Sequence, residues 1–247
     1  LLPPLVAAAL IWSSWQTFWW LLCGTIALPW LWLLMKAPWP SAPGVKPTKQ
    51  TPHGPRPFRD KRFWLLLPLL MSLPITMTGL FIYQAQLTEA LDSSLTIYAL
   101  ALTGMGIAKL PGALLGGRWV DKWGPAKLAR LYLLPYAFAM VMALTIGGNI
   151  SVWGLMVGGG LAMGAQELIA SGLLIKLWGA EHLGKVRSAL SASMVFSTGI
   201  APAVLGLALG AGAPFYTLLF GMLVFIIAGW LLAQRVLREA ANSTAEQ

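Results

Sequence analysis

Two charged side chains lie inside long stretches of sequence that are otherwise uncharged. Lys109 interrupts the stretch 93–117, and Glu167 interrupts the stretch 131–175. A primary amine in such a setting can bind a carboxylate or another anion, whereas a carboxylate can carry a proton or compensate a nearby amine. These two residues are therefore the first candidates for binding or coupling chemistry.

Groups that could carry enzyme chemistry are sparse. The chain has one cysteine and two histidines, too few for an internal disulfide or for a metal centre built from these residues. The acidic residues Asp60, Asp121 and Glu181 are far apart in sequence, and no glycine-rich phosphate loop followed by Lys-Ser or Lys-Thr occurs. The sequence thus predicts no enzyme, no catalytic residue, no metal and no cofactor.

The composition indicates the setting in which Lys109 and Glu167 must act. Of the 247 residues, 57% are hydrophobic and 10% are charged, whereas soluble domains carry about 25% charged residues. Continuous apolar stretches of about 20 residues are typical of membrane-spanning helices and not of strands. We therefore predict an all-α membrane protein, a multi-pass helical bundle.

The apolar stretches predict one partial and seven full spans, separated by polar segments. The partial span is 1–11, and the full spans are 17–35, 63–88, 93–118, 129–147, 151–175, 188–210 and 214–234. The polar segments are a central linker at 36–62, loops at 119–128 and 176–187, and a tail at 235–247. Because the chain opens inside an apolar stretch, we expect a fragment of a longer protein.

Basic residues follow an alternating pattern along this chain. Sixteen of the 17 lie in the linker, at 118–130, at 176–187 or in the tail, so every second junction lacks them. This is the positive-inside distribution, which predicts that those four segments are cytoplasmic. Membrane orientation accounts for the net charge of +9, so we predict no nucleic-acid partner.

The remaining basic residue is Lys109, and its depth can be compared with that of Glu167. Each lies nine residues before a basic residue, Arg118 or Lys176. At 1.5 Å per residue, each is about 13 Å above that anchor. The two helices run in the same direction, so we expect both charges at one level. They could form a structural pair, or Lys109 could hold an anionic substrate while Glu167 carries a proton.

The loop from Gly117 to Lys127 resembles the loop signature of the major facilitator superfamily. Gly117, Asp121 and Gly124 match the signature, and Lys122 replaces its arginine. The family carries this signature after helices 2 and 8. If this is the second copy, the resemblance implies that the predicted spans are the end of helix 5 and helices 6–12, and that about four N-terminal helices are missing.

The same loop suggests a conformational role. Asp121 is an anion suited to the positive end of a helix dipole, and the start of helix 11, near Arg187, is the expected partner. We predict that Gly117, Asp121, Lys122, Gly124 and Arg187 form a latch that opens when the two halves move. A solvated turn whose charges serve only membrane orientation is the alternative.

Other segments are similar to bacterial members near the monocarboxylate/oxalate branch of that superfamily. They are Phe63–Pro68, Gly79–Gln84, His182–Arg187 and Met194–Thr198. In that branch a basic residue on helix 8 contacts the substrate carboxylate, and helices 7 and 10 line the cavity. The resemblance therefore implies Lys109, Tyr83, Gln84, Gln166 and Glu167 as substrate-binding or coupling residues.

The resemblance implies a secondary active transporter that moves a small solute, a carboxylate-type organic anion, by alternating access. We expect it in the bacterial inner membrane, as a monomer when full length, with the lipid bilayer and a small-molecule substrate as partners and protons as a coupling ion. Two alternatives stay open. One is efflux of a drug-like amphiphile by the same superfamily, and the other is a receptor or scaffold that transports nothing.

Overall fold

A computed structural model describes residues 14–36 and 55–242, which belong to two separate units. The first unit contributes helix α1, Trp15–Lys36, which covers the predicted span 17–35. At its start the Ser14 hydroxyl accepts the backbone N–H of Thr17 at 3.3 Å. The predicted span 1–11, most of the linker 36–62 and the last residues of the tail 235–247 lie outside the described residues.

The second unit is a bundle of helices from Lys61 to Asn242. In chain order they are α2 (Lys61–Ile82), α3 (Gln84–Ala90), α4 (Leu95–Trp123), α5 (Pro125–Leu128), α6 (Leu134–Thr145), α7 (Gly148–Trp178), α8 (Leu183–Gly210) and α9 (Phe215–Asn242). Two short 3-10 turns precede α2 and α8, at Pro57–Arg59 and Ala180–His182.

Six of the described helices, α1 among them, are long and apolar enough to cross a membrane. The predicted span 129–147 is the exception, because only Leu134–Thr145 is helical there. Twelve residues rise about 18 Å, short of the hydrocarbon thickness of about 30 Å. Pro135 is the second residue of this helix. It has no backbone N–H, so it cannot donate the hydrogen bond that would continue the helix toward its N-terminal side. Hydrogen-bonded turns connect it to α5 instead.

The predicted loop 119–128 is mostly helical, which corrects the sequence-based boundary. Helix α4 continues beyond position 118 to Trp123, and α5 starts at Pro125. Gly124 makes the break: it has φ +80°, and its N–H bonds the Val120 carbonyl at 2.9 Å. A residue without Cβ adopts this conformation readily. Charged residues after position 117 thus extend the helix past its apolar part.

The boundaries around α7 and α9 need the same correction. The predicted loop 176–187 shrinks to the turn at Ala180–His182, since α7 includes Lys176 and ends at Trp178. The predicted tail 235–247 is helical as far as Asn242. A helix ends where its backbone hydrogen bonds end, and the end of the apolar stretch does not fix that point.

The predicted span 63–88 is broken at Tyr83, which leaves the helical conformation at φ −100° and ψ 38°. Its hydroxyl donates to the carbonyl oxygen of Pro202 on α8 at 2.7 Å. Gly206 leaves room for this contact, because a Cβ at that position would overlap the Tyr83 hydroxyl. The break therefore joins the end of α2 to α8.

Glycines bring the backbones of α4 and α7 into contact. A Cβ at Gly112 would overlap the Leu161 backbone, and one at Gly164 would overlap the backbone of Lys109. Such close approach is the usual effect of small residues between membrane helices. Farther along, Gly116 faces Ala165, so the two helices run in the same direction. Lys109 is consequently level with the part of α7 that leads into Glu167.

A polar cluster fixes the start of α2 to the end of α7. One carboxylate oxygen of Asp60 accepts the backbone N–H of Arg62 at 2.9 Å, and the other accepts its guanidinium at 3.0 Å and the Trp178 indole N–H at 2.9 Å. Partial burial raises the pKa of Asp60, but the hydrogen bonds from Arg62 and Trp178 and the Arg62 charge leave it below its ordinary value.

Candidate functional site

Helices α2, α4, α7 and α8 line an open cavity of about 230 Å³. Lys109, Gln166 and Glu167 line it, three of the five residues that the sequence singled out for binding or coupling. The other lining residues are Pro74, Met77, Thr78, Phe81, Met163 and Met194. The cavity thus combines one cation, one carboxylate and one amide with an apolar wall.

The Glu167 carboxylate forms its ion pair with Arg187. Oε2 of Glu167 lies 3.2 Å from Nη2 of Arg187, and Nη1 of Arg187 donates to the Ser171 hydroxyl at 3.0 Å. Among the described residues no carboxylate oxygen lies within 4.0 Å of the Lys109 amine. A structural Lys109–Glu167 pair, left open by the sequence, is therefore not formed.

The Glu167–Arg187 pair is accessible, with 66% of the Glu167 side chain and 50% of the Arg187 side chain exposed. Ion pairs of that exposure contribute only about 0–1 kcal/mol. Their low strength means that a competing ligand or a proton can separate them at little cost in stability.

A smaller cleft of about 50 Å³ lies beside the first cavity. Gln166, Glu167 and Met194 line both, whereas Ser171 and Arg187 line only the cleft. Glu167 accordingly stands between a cavity that contains Lys109 and a cleft that contains Arg187. At roughly 30 Å³ for each water molecule, the cleft has room for one or two beside the carboxylate.

Gln166 is buried and has a structural contact besides its place in the cavity. Its side-chain amide donates to the carbonyl oxygen of Leu70 on α2 at 2.9 Å. Burial of an amide is tolerated when its hydrogen bonds are satisfied. Gln166 therefore ties α7 to α2 directly beside Glu167.

Tyr83 and Gln84 do not line this cavity. The Tyr83 hydroxyl is committed to Pro202, and Gln84 is exposed at the first position of α3. Sequence reasoning placed both on one continuous helix, and the break at Tyr83 removes the basis for that placement. Sequence reasoning also missed Thr78, which lines the cavity, and Ser171, which lines the smaller cleft. Ser171 could have been found, because it follows Glu167 by four residues and so shares its helix face.

The predicted latch residues are not assembled in the described part of the chain. Asp121 and Lys122 are exposed near the end of α4, Gly124 is the break after it, and Gly117 packs against the Leu168 side chain. Arg187 extends toward Glu167 and Ser171 on α7 instead of Asp121. No hydrogen bond or ion pair joins Asp121 to Arg187.

The described residues contain no group of three or more histidine, cysteine or acidic side chains that could hold a metal ion. Comparison with models of known protein families matches residues 69–247 to the Major Facilitator Superfamily. The matched region contains Lys109, Gln166 and Glu167. No curated protein matches the chain.

Proposed function

The chain belongs to the Major Facilitator Superfamily, a family of multi-pass membrane proteins that act as secondary transporters and not as enzymes, and we propose that its substrate is a small carboxylate-type organic anion. The observation that carries the proposal is the Lys109 amine in the cavity. Within the described residues no carboxylate oxygen lies within 4.0 Å of it, and Glu167 in the same cavity pairs with Arg187.

The energy of a charge within a membrane supports an anionic substrate. Lys109 lies in the middle of α4, and a lysine at such a depth costs roughly 2.5–3.5 kcal/mol on insertion scales. A carboxylate bound to the amine would offset part of that cost. The methionines and the phenylalanine of the wall suit the apolar part of an organic anion. We therefore propose that the chain lies near the monocarboxylate/oxalate branch of the superfamily.

Glu167 is proposed as the proton-coupling residue. Its carboxylate bonds Arg187 at 3.2 Å while it also faces the cavity of Lys109. Protonation would remove the negative charge that holds Arg187. The guanidinium would then be free for another anion, so proton uptake and substrate binding would be linked. Alternating access by two rocking halves would carry both across the membrane.

The orientation and the motif loop are proposals of the same kind. We propose a bacterial inner-membrane protein, and the distribution of basic residues supports a cytoplasmic linker and a cytoplasmic C-terminus. We propose that Gly117, Asp121, Lys122 and Gly124 contact the start of α8 in another state of the transport cycle. We also propose that the full-length protein is a monomer.

The test is uptake of radiolabelled mono- and dicarboxylates by the full-length protein in vesicles, with and without a pH gradient. Lys109→Gln should abolish uptake, because it removes the cation and keeps a similar side-chain length. Lys185→Gln, an exposed change on α8 outside the cavity, should leave uptake unchanged. Membrane insertion should be equal in both variants.

Unchanged anion uptake by Lys109→Gln would contradict the proposal. Efflux of a drug-like amphiphile would give a different pattern. It would survive Lys109→Gln and be lost in Phe81→Ala, since Phe81 supplies aromatic surface to the cavity. A protein that moves no solute in any form would be a receptor or scaffold.

A further inference from the structure

A second large groove lies away from the Lys109 cavity, between α4, α7 and the segment that joins α5 to α6. Its volume is about 370 Å³, and its lining includes Leu115, Trp119, Trp123, Leu128 and Leu131. This space, here named the tryptophan groove, could contain about a dozen water molecules at roughly 30 Å³ each. Its side chains offer them almost no hydrogen-bonding partner, so hydrocarbon fits it better than water does.

Two stacked tryptophans form one wall of the tryptophan groove. The rings of Trp119 and Trp123 lie 5.5 Å apart at an interplanar angle of 16°, and 39% and 43% of these residues are exposed. Tryptophans with this exposure at the end of a spanning helix are typical of the interface between hydrocarbon and headgroups. The groove therefore extends from headgroup level into the depth of the membrane.

Basic residues alternate in sequence with the residues of that wall. Arg118 and Lys122 each adjoin a groove tryptophan, and Lys127 and Arg130 each adjoin a groove leucine. Asp121 is the single acidic residue between 118 and 130. Positive charge beside an apolar groove is complementary to a phosphate attached to an acyl chain.

From these observations we infer that the tryptophan groove binds an anionic phospholipid. One acyl chain lies against Trp119 and Trp123, and the headgroup phosphate lies beside the exposed Lys122 and Lys127. The lipid stabilises the junction of α4, α5 and α7. A zwitterionic lipid could fill the groove with its acyl chain but would bring no net charge to the basic residues, so the site selects for headgroup charge.

Fluorescence quenching by brominated lipids tests the inference on the full-length protein. It is reconstituted in phosphatidylcholine vesicles that contain a small mole fraction of brominated phosphatidylglycerol or, in parallel, of brominated phosphatidylcholine. The chain has 13 tryptophans, so the signal from the groove is obtained by difference from the double variant Trp119→Phe/Trp123→Phe. We expect quenching of this difference signal to be several-fold stronger with the anionic lipid.

Charge variants separate a specific site from general attraction to anionic membranes. Lys122→Gln/Lys127→Gln should lower the preference for phosphatidylglycerol by about fivefold for each charge removed. The matched control Lys61→Gln/Lys185→Gln removes two exposed charges, one on α2 and one on α8. It should leave the preference for phosphatidylglycerol unchanged. An equal loss in both double variants would overturn the inference.

Groove-filling variants supply a readout that does not depend on charge. Leu115→Phe enlarges a side chain of the groove, whereas Leu114→Phe makes the same change at the neighbouring position, which is 72% exposed and does not line it. Only Leu115→Phe should reduce quenching. Equal quenching by the two brominated lipids would mean that bulk lipid fills the groove, and no quenching of the difference signal would mean that protein covers it. Either result overturns the inference.

Discussion

The Glu167 carboxylate lies near two cations but bonds only one of them in the described residues. Arg187 holds it at 3.2 Å, and Lys109 shares its cavity without an ion pair. One negative charge cannot compensate two positive charges. An anionic substrate would supply the missing negative charge, and a proton on Glu167 would release Arg187. Both events would therefore change the balance of charge among Lys109, Arg187 and Glu167.

This balance predicts the behaviour of Glu167→Gln. The variant keeps the size of the side chain but cannot carry the coupled proton or a charge for Arg187. We expect uptake driven by a pH gradient to fall to the level seen without a gradient, while exchange of labelled for unlabelled anion persists. The measurement compares gradient-driven uptake with exchange in the same vesicles.

The control for this prediction is Glu239→Gln. It makes the same chemical change on α9, where Glu239 lies 4.0 Å from Arg235 in an exposed ion pair. Coupling should be intact in this variant. Gradient-driven uptake that survives Glu167→Gln would show that another residue carries the proton.

The sequence identified Lys109 and Glu167 because a charge inside an apolar stretch is visible without any structure. It could not identify Arg187 as the partner of Glu167. The family resemblance assigned Arg187 to a latch with Asp121, and the charge pattern gave the other basic residues of its segment a role in orientation only. Only the packing of α8 against α7 distinguishes Arg187 from Lys185, and that packing depends on contacts between distant parts of the chain.

At the level of elements, helix positions follow from apolar stretches but helix ends do not. Helix α4 continues five residues beyond the predicted end at 118, because lysine and tryptophan are compatible with helix and Gly124 provides the stop. The break at Tyr83 has no such local cause. At this break the Tyr83 hydroxyl bonds the carbonyl oxygen of Pro202, 119 residues away in sequence.

The junction of α2 and α7 carries a prediction about pH. Asp60 is bonded by Arg62 and Trp178, which leaves its pKa below its ordinary value. A lowered pKa in the folded state means that the stabilisation is present above the unfolded-state pKa of about 3.9. It is lost as the pH falls through the lower, folded-state pKa. We expect Asp60→Asn to lower the free energy of unfolding by about 1 kcal/mol at pH 7.

Thermal unfolding of the full-length protein in detergent, followed from pH 7 to pH 3, checks this expectation. The difference between wild type and Asp60→Asn should begin to decrease as the pH falls below the unfolded-state pKa of about 3.9, because the stabilisation is lost between that value and the lower folded-state pKa. Asp92→Asn makes the same change in the loop between α3 and α4, where Asp92 has φ +52°. Asparagine tolerates that conformation, so this control should differ little from wild type at either pH. A difference for Asp60→Asn that does not change with pH would show that Asp60 does not stabilise the fold through its charge.

At the level of the whole molecule, the family and the helical class follow from composition and one loop. The loop at 117–127 resembles the family signature, and the family match over residues 69–247 includes this loop. The distribution of basic residues predicts an orientation as well. That prediction is independent of the family and can be tested separately.

Cysteine accessibility tests the orientation with two positions at opposite ends of α8. This helix has 28 residues and rises about 42 Å, more than the hydrocarbon thickness of about 30 Å, so its ends should reach opposite sides. In a Cys23→Ala background, Ala211→Cys should react with an impermeant maleimide in intact cells, and Ala180→Cys only after permeabilisation, because the basic end is expected to be cytoplasmic. Reaction of both from outside would contradict the span. A reversed pattern would contradict the orientation and leave the span intact.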